Sequence, residues 1–380
     1  MDVRSRAAAD SVKALQIRRQ ELEPTTHFKR QSPDVYGNAH PQALLRTINE
    51  NGDALQPLAT EHIISSSQFD AELLLQVFRL AAKFESNPKR YININSPLNH
   101  KVLINAFYEP STRTRLSFAS AWHRLGGSII TITDRASTGM AKGESLEDVA
   151  EMFNNYGDCV VLRDSHAESV YTMAKTLRIP IINAGNGVDE HPTQAMADLY
   201  TIFKWRPELI ASEVPADQRV RIGIVGVPSR MRTVRSLLRT LAQFPTISSE
   251  IVIFHDPSLS EEEVFSPGQL EELQEVGLRI SIATDLHGQL PELDVVYINA
   301  IAWVEDSFER LGTSFRLSAD LPLKEEAIVL HPLARGPELS TCLDATSHNW
   351  YFAQARGAVF IRMALLTCLV ERMDRVMDVI

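Results

Sequence analysis

From His62 onward the chain repeats one pattern: a short run of β-branched and apolar residues, then a longer stretch with apolar residues at helical spacing, then another short run. Strands that are apolar throughout must be covered on both faces, and a helix between successive strands supplies that cover. The pattern therefore predicts an α/β protein of parallel, doubly wound sheets. Strand runs fall near residues 101–107, 128–133, 158–162 and 179–183, with a second series near 221–226, 250–255, 279–283, 293–298 and 326–330. Two series predict two domains, one over 58–192 completed by 355–380, the other over 206–354. A helix around Thr193 to Trp205 is expected to bridge them and to stop at Pro207, which cannot continue it. The segment Gly357 to Met377 carries Val359, Ile361, Leu365, Leu366 and Leu369 on a broad apolar face, so it is expected to pack back on the first domain. Residues 1–57 are polar and charged, with a possible helix from Arg6 to Glu21, and read as an N-terminal extension.

Bulk properties narrow the function. A chain of 380 residues with 44% hydrophobic and 23% charged residues has material for two cores. A formal net charge of −10 argues against nucleic acid as the main partner, because phosphate-backbone binding needs a cationic face. Cys159, Cys342 and Cys368 are too scattered for a disulfide framework or a zinc cluster, and no metal is expected. Gly226-Val-Pro-Ser follows its strand without the further glycines of a dinucleotide fingerprint, so no cofactor is expected. No apolar run of membrane-spanning length and no signal-peptide core are read from the sequence, which makes the cytoplasm the expected compartment and membrane binding unexpected.

Chemistry gathers at the predicted strand ends, where open α/β sheets bind ligands. After the first strand comes Phe107-Tyr-Glu-Pro-Ser-Thr-Arg-Thr-Arg115, which sets Ser111, Thr112, Arg113 and Thr114 at the start of a helix carrying Leu116, Ala119, Trp122 and Leu125. A helix start offers unpaired N–H groups and partial positive charge; hydroxyls and a guanidinium added to it make an anion nest. The third strand ends in Arg163, and the fourth leads to His191-Pro-Thr-Gln194. In the second series one strand leads to Arg232 and the last ends in His331-Pro-Leu333. Singly, Arg163 could pair with Asp164 and His191 could cap the bridging helix. Jointly, these groups suit a small anion bearing a carbonyl, gripped from one domain and faced by Arg232 from the other.

The combination resembles the aspartate/ornithine carbamoyltransferases, most closely the aspartate branch, from about His62 to Arg372. Phe107 to Phe118 is similar to the family's carbamoyl phosphate signature, Lys142-Gly-Glu-Ser-Leu-Glu-Asp148 to its mobile loop, and His191-Pro-Thr-Gln194 and His331-Pro-Leu333 to two further signatures. The resemblance implies transfer of a carbamoyl group from carbamoyl phosphate to a small amine by a homotrimer with shared sites. It implies that Ser111, Thr112, Arg113 and Thr114 hold phosphate, and that Thr114, Arg163 and His191 bond the carbonyl oxygen as it gains charge. Gln194 and the Leu333 backbone would hold the carbamoyl NH2, and Arg232, Leu333 and Lys142, the last arriving from a neighbouring subunit, would meet the acceptor. Ser137 and Thr138 are both candidates for the mobile loop's serine.

One segment departs from the family. Aspartate-using members follow the strand matching Val295-Val-Tyr-Ile298 with Thr-Arg-Val-Gln, whose arginine and glutamine hold carboxylates; here it reads Asn299-Ala-Ile-Ala302. With both holders gone, aspartate affinity is expected to fall on the order of a thousandfold, since a charge-assisted hydrogen bond is worth about 1.5–3 kcal/mol. Trp303, Glu305 and Asp306 either present an aromatic, acidic wall to a different acceptor or form an exposed helix start. The leading expectation is therefore an amine other than aspartate. The alternatives are aspartate held by replacement arginines, with Arg230, Arg235 and Arg310 as candidates, or a non-catalytic subunit.

Overall fold

The computed structural model describes residues 40–87, 96–299 and 314–370. The expected Arg6–Glu21 helix, Trp303, Glu305, Asp306, Arg310 and the end of the C-terminal segment lie outside them.

All nine strand runs are strands. Val102–Phe107 (β1), Ser128–Ile132 (β2), Cys159–Asp164 (β3) and Ile181–Asn186 (β4) form a parallel sheet of order β2-β1-β3-β4. Val220–Val225 (β5), Ser248–Phe254 (β6), Ile280–Ala283 (β7), Val295–Ile298 (β8) and Ile328–Leu330 (β9) form a second, of order β7-β6-β5-β8-β9. β3 and β4 are buried at every position, as strands covered on both faces must be. Each order reverses direction once, between β1 and β3 in the first sheet and between β5 and β8 in the second. Those reversals leave crevices at the carboxyl ends of the strands.

The helices that position the site are Ala71–Ser86 (α1), Thr112–Arg124 (α2), Leu146–Tyr156 (α3), Ser169–Thr176 (α4), Pro192–Trp205 (α5), Arg232–Leu241 (α6) and Tyr351–Val370 (α7). α5 is buried from Pro192 to Lys204 and packs on α7 from one side and α6 from the other, which makes it the bridge between the two sheets. Pro192 opens it at N1, where a missing N–H costs nothing, and Pro207 follows its end. Lys204 near that end is fully buried, but its ammonium meets Glu85 of α1 at 2.9 Å, and Glu85 also accepts from the Tyr200 hydroxyl at 2.8 Å. Paired and hydrogen-bonded, the buried charges hold α1 to α5; either one alone would be strongly destabilising.

α7 starts at Tyr351, earlier than the expected Gly357, because its first turn has its own anchorage: Tyr351 is buried in the core of the second sheet. The remainder packs against α1, α2 and α5 of the first. By length and composition α7 is apolar enough to cross a membrane, contrary to the sequence expectation that no such run exists. It is mostly buried inside the fold, as a core helix is. Gly357 allows its close approach to α5, since a Cβ there would lie 3.0 Å from the Lys204 ammonium and 3.1 Å from the Tyr200 ring.

Candidate active site

A cleft of about 530 Å³ opens at the two sheet reversals, lined from the first sheet by the segments after β1, β3 and β4 and from the second by those after β5, β8 and β9. The residues named from sequence meet there: Ser111 to Thr114, Arg163, His191, Gln194, Arg232 and Leu333 all line it. Arg113 and His191, from different strand ends, share one cavity.

After β1 the chain turns through Tyr108-Glu109-Pro110 and enters α2 at Ser111, whose backbone is extended (φ −158°, ψ 91°) and whose hydroxyl makes no capping bond. The first-turn amides have no intrahelical acceptors, so the hydroxyl, these N–H groups and the Thr112 and Thr114 side chains are free to take an anion. Partial burial pulls the Arg113 guanidinium below its ordinary value.

Arg163, the penultimate residue of β3, is buried, with Nη1 donating to the Ala184 carbonyl at 3.1 Å and Nη2 to Glu109 at 3.0 Å. Burial first, then the neighbouring Arg232, push its pKa down to about 10, still charged at neutral pH. Arg232, the first residue of α6, reaches across from the second sheet to donate to the same Glu109 oxygen at 3.0 Å and to the Gly187 carbonyl. One carboxylate thus joins two arginines from opposite walls. Gly185 leaves room for them: its φ of +113° suits glycine, and a Cβ there would sit 2.8 Å from Arg163 Nη1 and 3.1 Å from Arg232 Nε.

His191 precedes α5, tied by its backbone N–H to Ser236 Oγ at 2.9 Å. Burial and then Arg163, Arg362 and Arg232 hold its imidazole well below the usual pKa, so it is neutral; Nδ1 is buried without a partner among the described residues. A neutral imidazole beside guanidiniums donates one N–H without adding charge to a crowded cationic site. One turn along α5, Gln194 Nε2 donates to Asp198 at 2.7 Å, leaving the amide oxygen as the end offered to the cleft. Asp198 also accepts from Gln354 of α7 at 2.5 Å.

After β9, His331 braces its turn and does not line the cleft. Its Nδ1 accepts from the Leu333 N–H at 2.7 Å, which makes Nε2 the donor to Glu338 at 2.9 Å, and its own N–H reaches Gln354 Oε1 at 2.9 Å. Leu333 adopts φ +54°, and with its N–H engaged its carbonyl is the free backbone group at the rim.

Lys142 is exposed on the turn Gly139–Lys142 and is not among the residues lining the cleft. Ser137 and Thr138 each bond a local carbonyl, both at 2.7 Å, and neither lines it. Of the replacement arginines, Arg230 lines the cleft. Arg235 does not; it donates to the Pro228 and Ser229 carbonyls at 3.4 and 3.2 Å and so braces the loop before α6.

Sequence reasoning assigned no role to Glu109, Gly185 or Asp198. The first lies inside the signature segment and the last four residues after Gln194 on one helix face, so both were within reach of motif and periodicity. Gly185 needed the positions of both arginines.

The carbamoyl-P binding domain of the aspartate/ornithine carbamoyltransferases matches residues 61–204, and the family's Asp/Orn binding domain matches residues 218–369. The catalytic subunit of aspartate carbamoyltransferase from Thermococcus onnurineus is 36% identical over 316 residues, covering 80% of this chain and 95% of that protein. That from Vibrio campbellii is 34% identical over 323 residues, covering 83% and 98%. The crystal structure of aspartate transcarbamoylase from Trypanosoma cruzi in complex with carbamoyl aspartate and phosphate superposes with a TM-score of 0.71 at 29% identity, covering 83% of this chain and 98% of that one.

Proposed function

We propose that this chain, which belongs to the aspartate/ornithine carbamoyltransferase family, transfers the carbamoyl group of carbamoyl phosphate to the amino group of L-aspartate and releases phosphate. The carbamoyltransferase reading rests on one observation: the α2 start, Arg163, neutral His191 and Gln194 face a single cleft with Arg232 opposite. Aspartate as acceptor is supported by the relatives, which are aspartate carbamoyltransferases. The expectation of another amine, drawn from Asn299-Ala-Ile-Ala302, yields to that support.

In this reading phosphate sits on the α2 amides with Ser111, Thr112, Arg113 and Thr114. The carbonyl oxygen takes hydrogen bonds from Thr114, Arg163 and His191. The carbamoyl NH2 donates to two acceptors, the Gln194 amide oxygen and the Leu333 carbonyl. The acceptor's neutral amine attacks the carbonyl carbon, negative charge grows on the oxygen facing those donors, and the C–O bond to phosphate breaks. The nitrogen's surplus proton passes to the departing phosphate, so the step needs orientation and oxyanion stabilisation and no covalent intermediate on the protein. Residues 58–192 with 355–380 would serve the donor and 206–354 the acceptor. Lys142, outside the cleft of its own chain, would complete the site of a neighbour in a homotrimer.

The test is incubation with carbamoyl phosphate and a panel of amines, reading phosphate and the carbamoylated product together. Equal amounts of phosphate and N-carbamoyl-L-aspartate are expected. Turnover confined to another amine would replace the acceptor, and failure to bind carbamoyl phosphate would remove the enzymatic reading.

A further inference from the structure

Among the described residues four guanidiniums line the cleft, and they are not equally available. Arg113 belongs to the anion nest at the start of α2. Arg163 is engaged by Ala184 and Glu109, and Arg232 by Glu109 and Gly187. An acceptor with two carboxylates needs a second cation on the wall of the second sheet. Arg230 is there, on the loop that leads into α6 and two residues before Arg232. Its side chain is 55% exposed, and its partner is Glu263, itself 49% exposed, at 3.2 Å. A pair that open to water holds weakly, so another carboxylate can displace Glu263 at little cost. Arg235 fixes the loop beneath by grasping the carbonyls of Pro228 and Ser229, together with Ser266 Oγ at 2.9 Å. That bracing limits the motion required to the Arg230 side chain.

We infer that Arg230 is a specificity-determining residue that leaves Glu263 to bind a carboxylate of the acceptor, supplying the positive charge that Ala300 lacks. This rests on the aspartate reading above. Glu263 then acts as an internal competitor for the arginine, a role that makes the two residues opposite in effect.

Steady-state kinetics on the full chain test it. Arg230→Ala should raise the KM for aspartate, and the Ki of succinate, a dicarboxylate without an amine, by roughly ten- to a hundredfold, with the KM for carbamoyl phosphate unchanged. Arg230→Lys should recover part of the loss. Glu263→Gln keeps the helix-capping group that Glu263 offers to the Ser260 N–H at 3.0 Å but loses the charge, so it should lower the KM for aspartate by about two- to fivefold. Opposite shifts in the two variants would not arise from a loosened loop. If the unmodified protein carbamoylates aspartate while Arg230→Ala leaves both aspartate and succinate constants unaltered, the inference is overturned and the reaction stands. If the unmodified protein turns over carbamoyl phosphate only with amines lacking a second carboxylate, the acceptor reading falls and this inference falls with it.

Discussion

The two walls of the cleft are built to different standards. On the first-sheet side Thr114, Arg163, His191 and Gln194 are each at most 8% exposed, and each sits on a strand end or the first turns of a helix packed into the core. On the second-sheet side Arg230 stands on a loop in an open ion pair, and Arg232 is held mainly by a residue from the opposite wall. Donors that stabilise a developing oxyanion must be in place beforehand, because reorganisation during the reaction would consume what they contribute. A wall that only selects the acceptor tolerates exposed side chains and exchange of partners. On the roles proposed above, the difference puts chemistry in the buried wall and specificity in the exposed one.

The comparison breaks most sharply at Arg163. Arg163→Ala should lower kcat by roughly a hundred- to a thousandfold, the range for losing an oxyanion donor, with a much smaller change in acceptor KM. An equal loss from Arg230→Ala would mean that the exposed wall carries chemistry too. Gly185→Val should follow closely, because its side chain would need the space occupied by both guanidiniums in a backbone conformation that valine rarely adopts. Binding of carbamoyl phosphate measured by calorimetry separates this from general unfolding, which a thermal melt would reveal.

Glu109→Ala tests whether the walls act together. It releases Arg163 and Arg232 at once, so kcat should fall and the acceptor KM should rise, each on the order of tenfold. A change in only one of the two constants would show that the shared carboxylate serves a single wall.

The buried wall was also the legible one. Residues such as Arg163 and His191 stand out in sequence because a charge or an imidazole directly after an apolar strand has few structural reasons to be there. Strand and helix periods reported both sheets, since burial on two faces leaves uninterrupted apolar runs. On the exposed wall Arg232 and His331-Pro-Leu333 left a similar mark, but Arg230 did not. Arg230 in Gly226-Val-Pro-Ser-Arg230 reads as any surface arginine, and only the cleft distinguishes it from Arg235 five residues later. The start of α7 at Tyr351 was missed for a related reason: its first turn is anchored by Tyr351 in the second sheet's core and by Gln354 at His331, contacts remote in sequence.

Asp198 should give the smallest effect on turnover and the clearest one on pH dependence. Burial raises its carboxyl to about 7, against the lowering influence of Gln354, Gln194, Tyr297 and Arg362 around it. In the unfolded chain the group titrates near 3.8. Between those values the folded protein binds the extra proton, so this group's contribution to stability is complete below about pH 4 and is lost as pH rises toward 7, with a limiting slope of about 1.4 kcal/mol per pH unit. Asp198→Asn keeps an acceptor for the Gln194 amide and removes the titration. The variant's stability, from urea unfolding at several values between pH 4.5 and 7.5, should therefore decline less with rising pH than that of the unmodified chain. Its KM for carbamoyl phosphate should change by only a few fold, because Gln194 still presents its oxygen to the cleft. Parallel stability curves for the two proteins would mean that Asp198 is ionised throughout and that Arg362 balances its charge. A KM raised a hundredfold would mean instead that the orientation of Gln194 depends on a full negative charge behind it, and the buried wall would then be tuned by electrostatics as much as by packing.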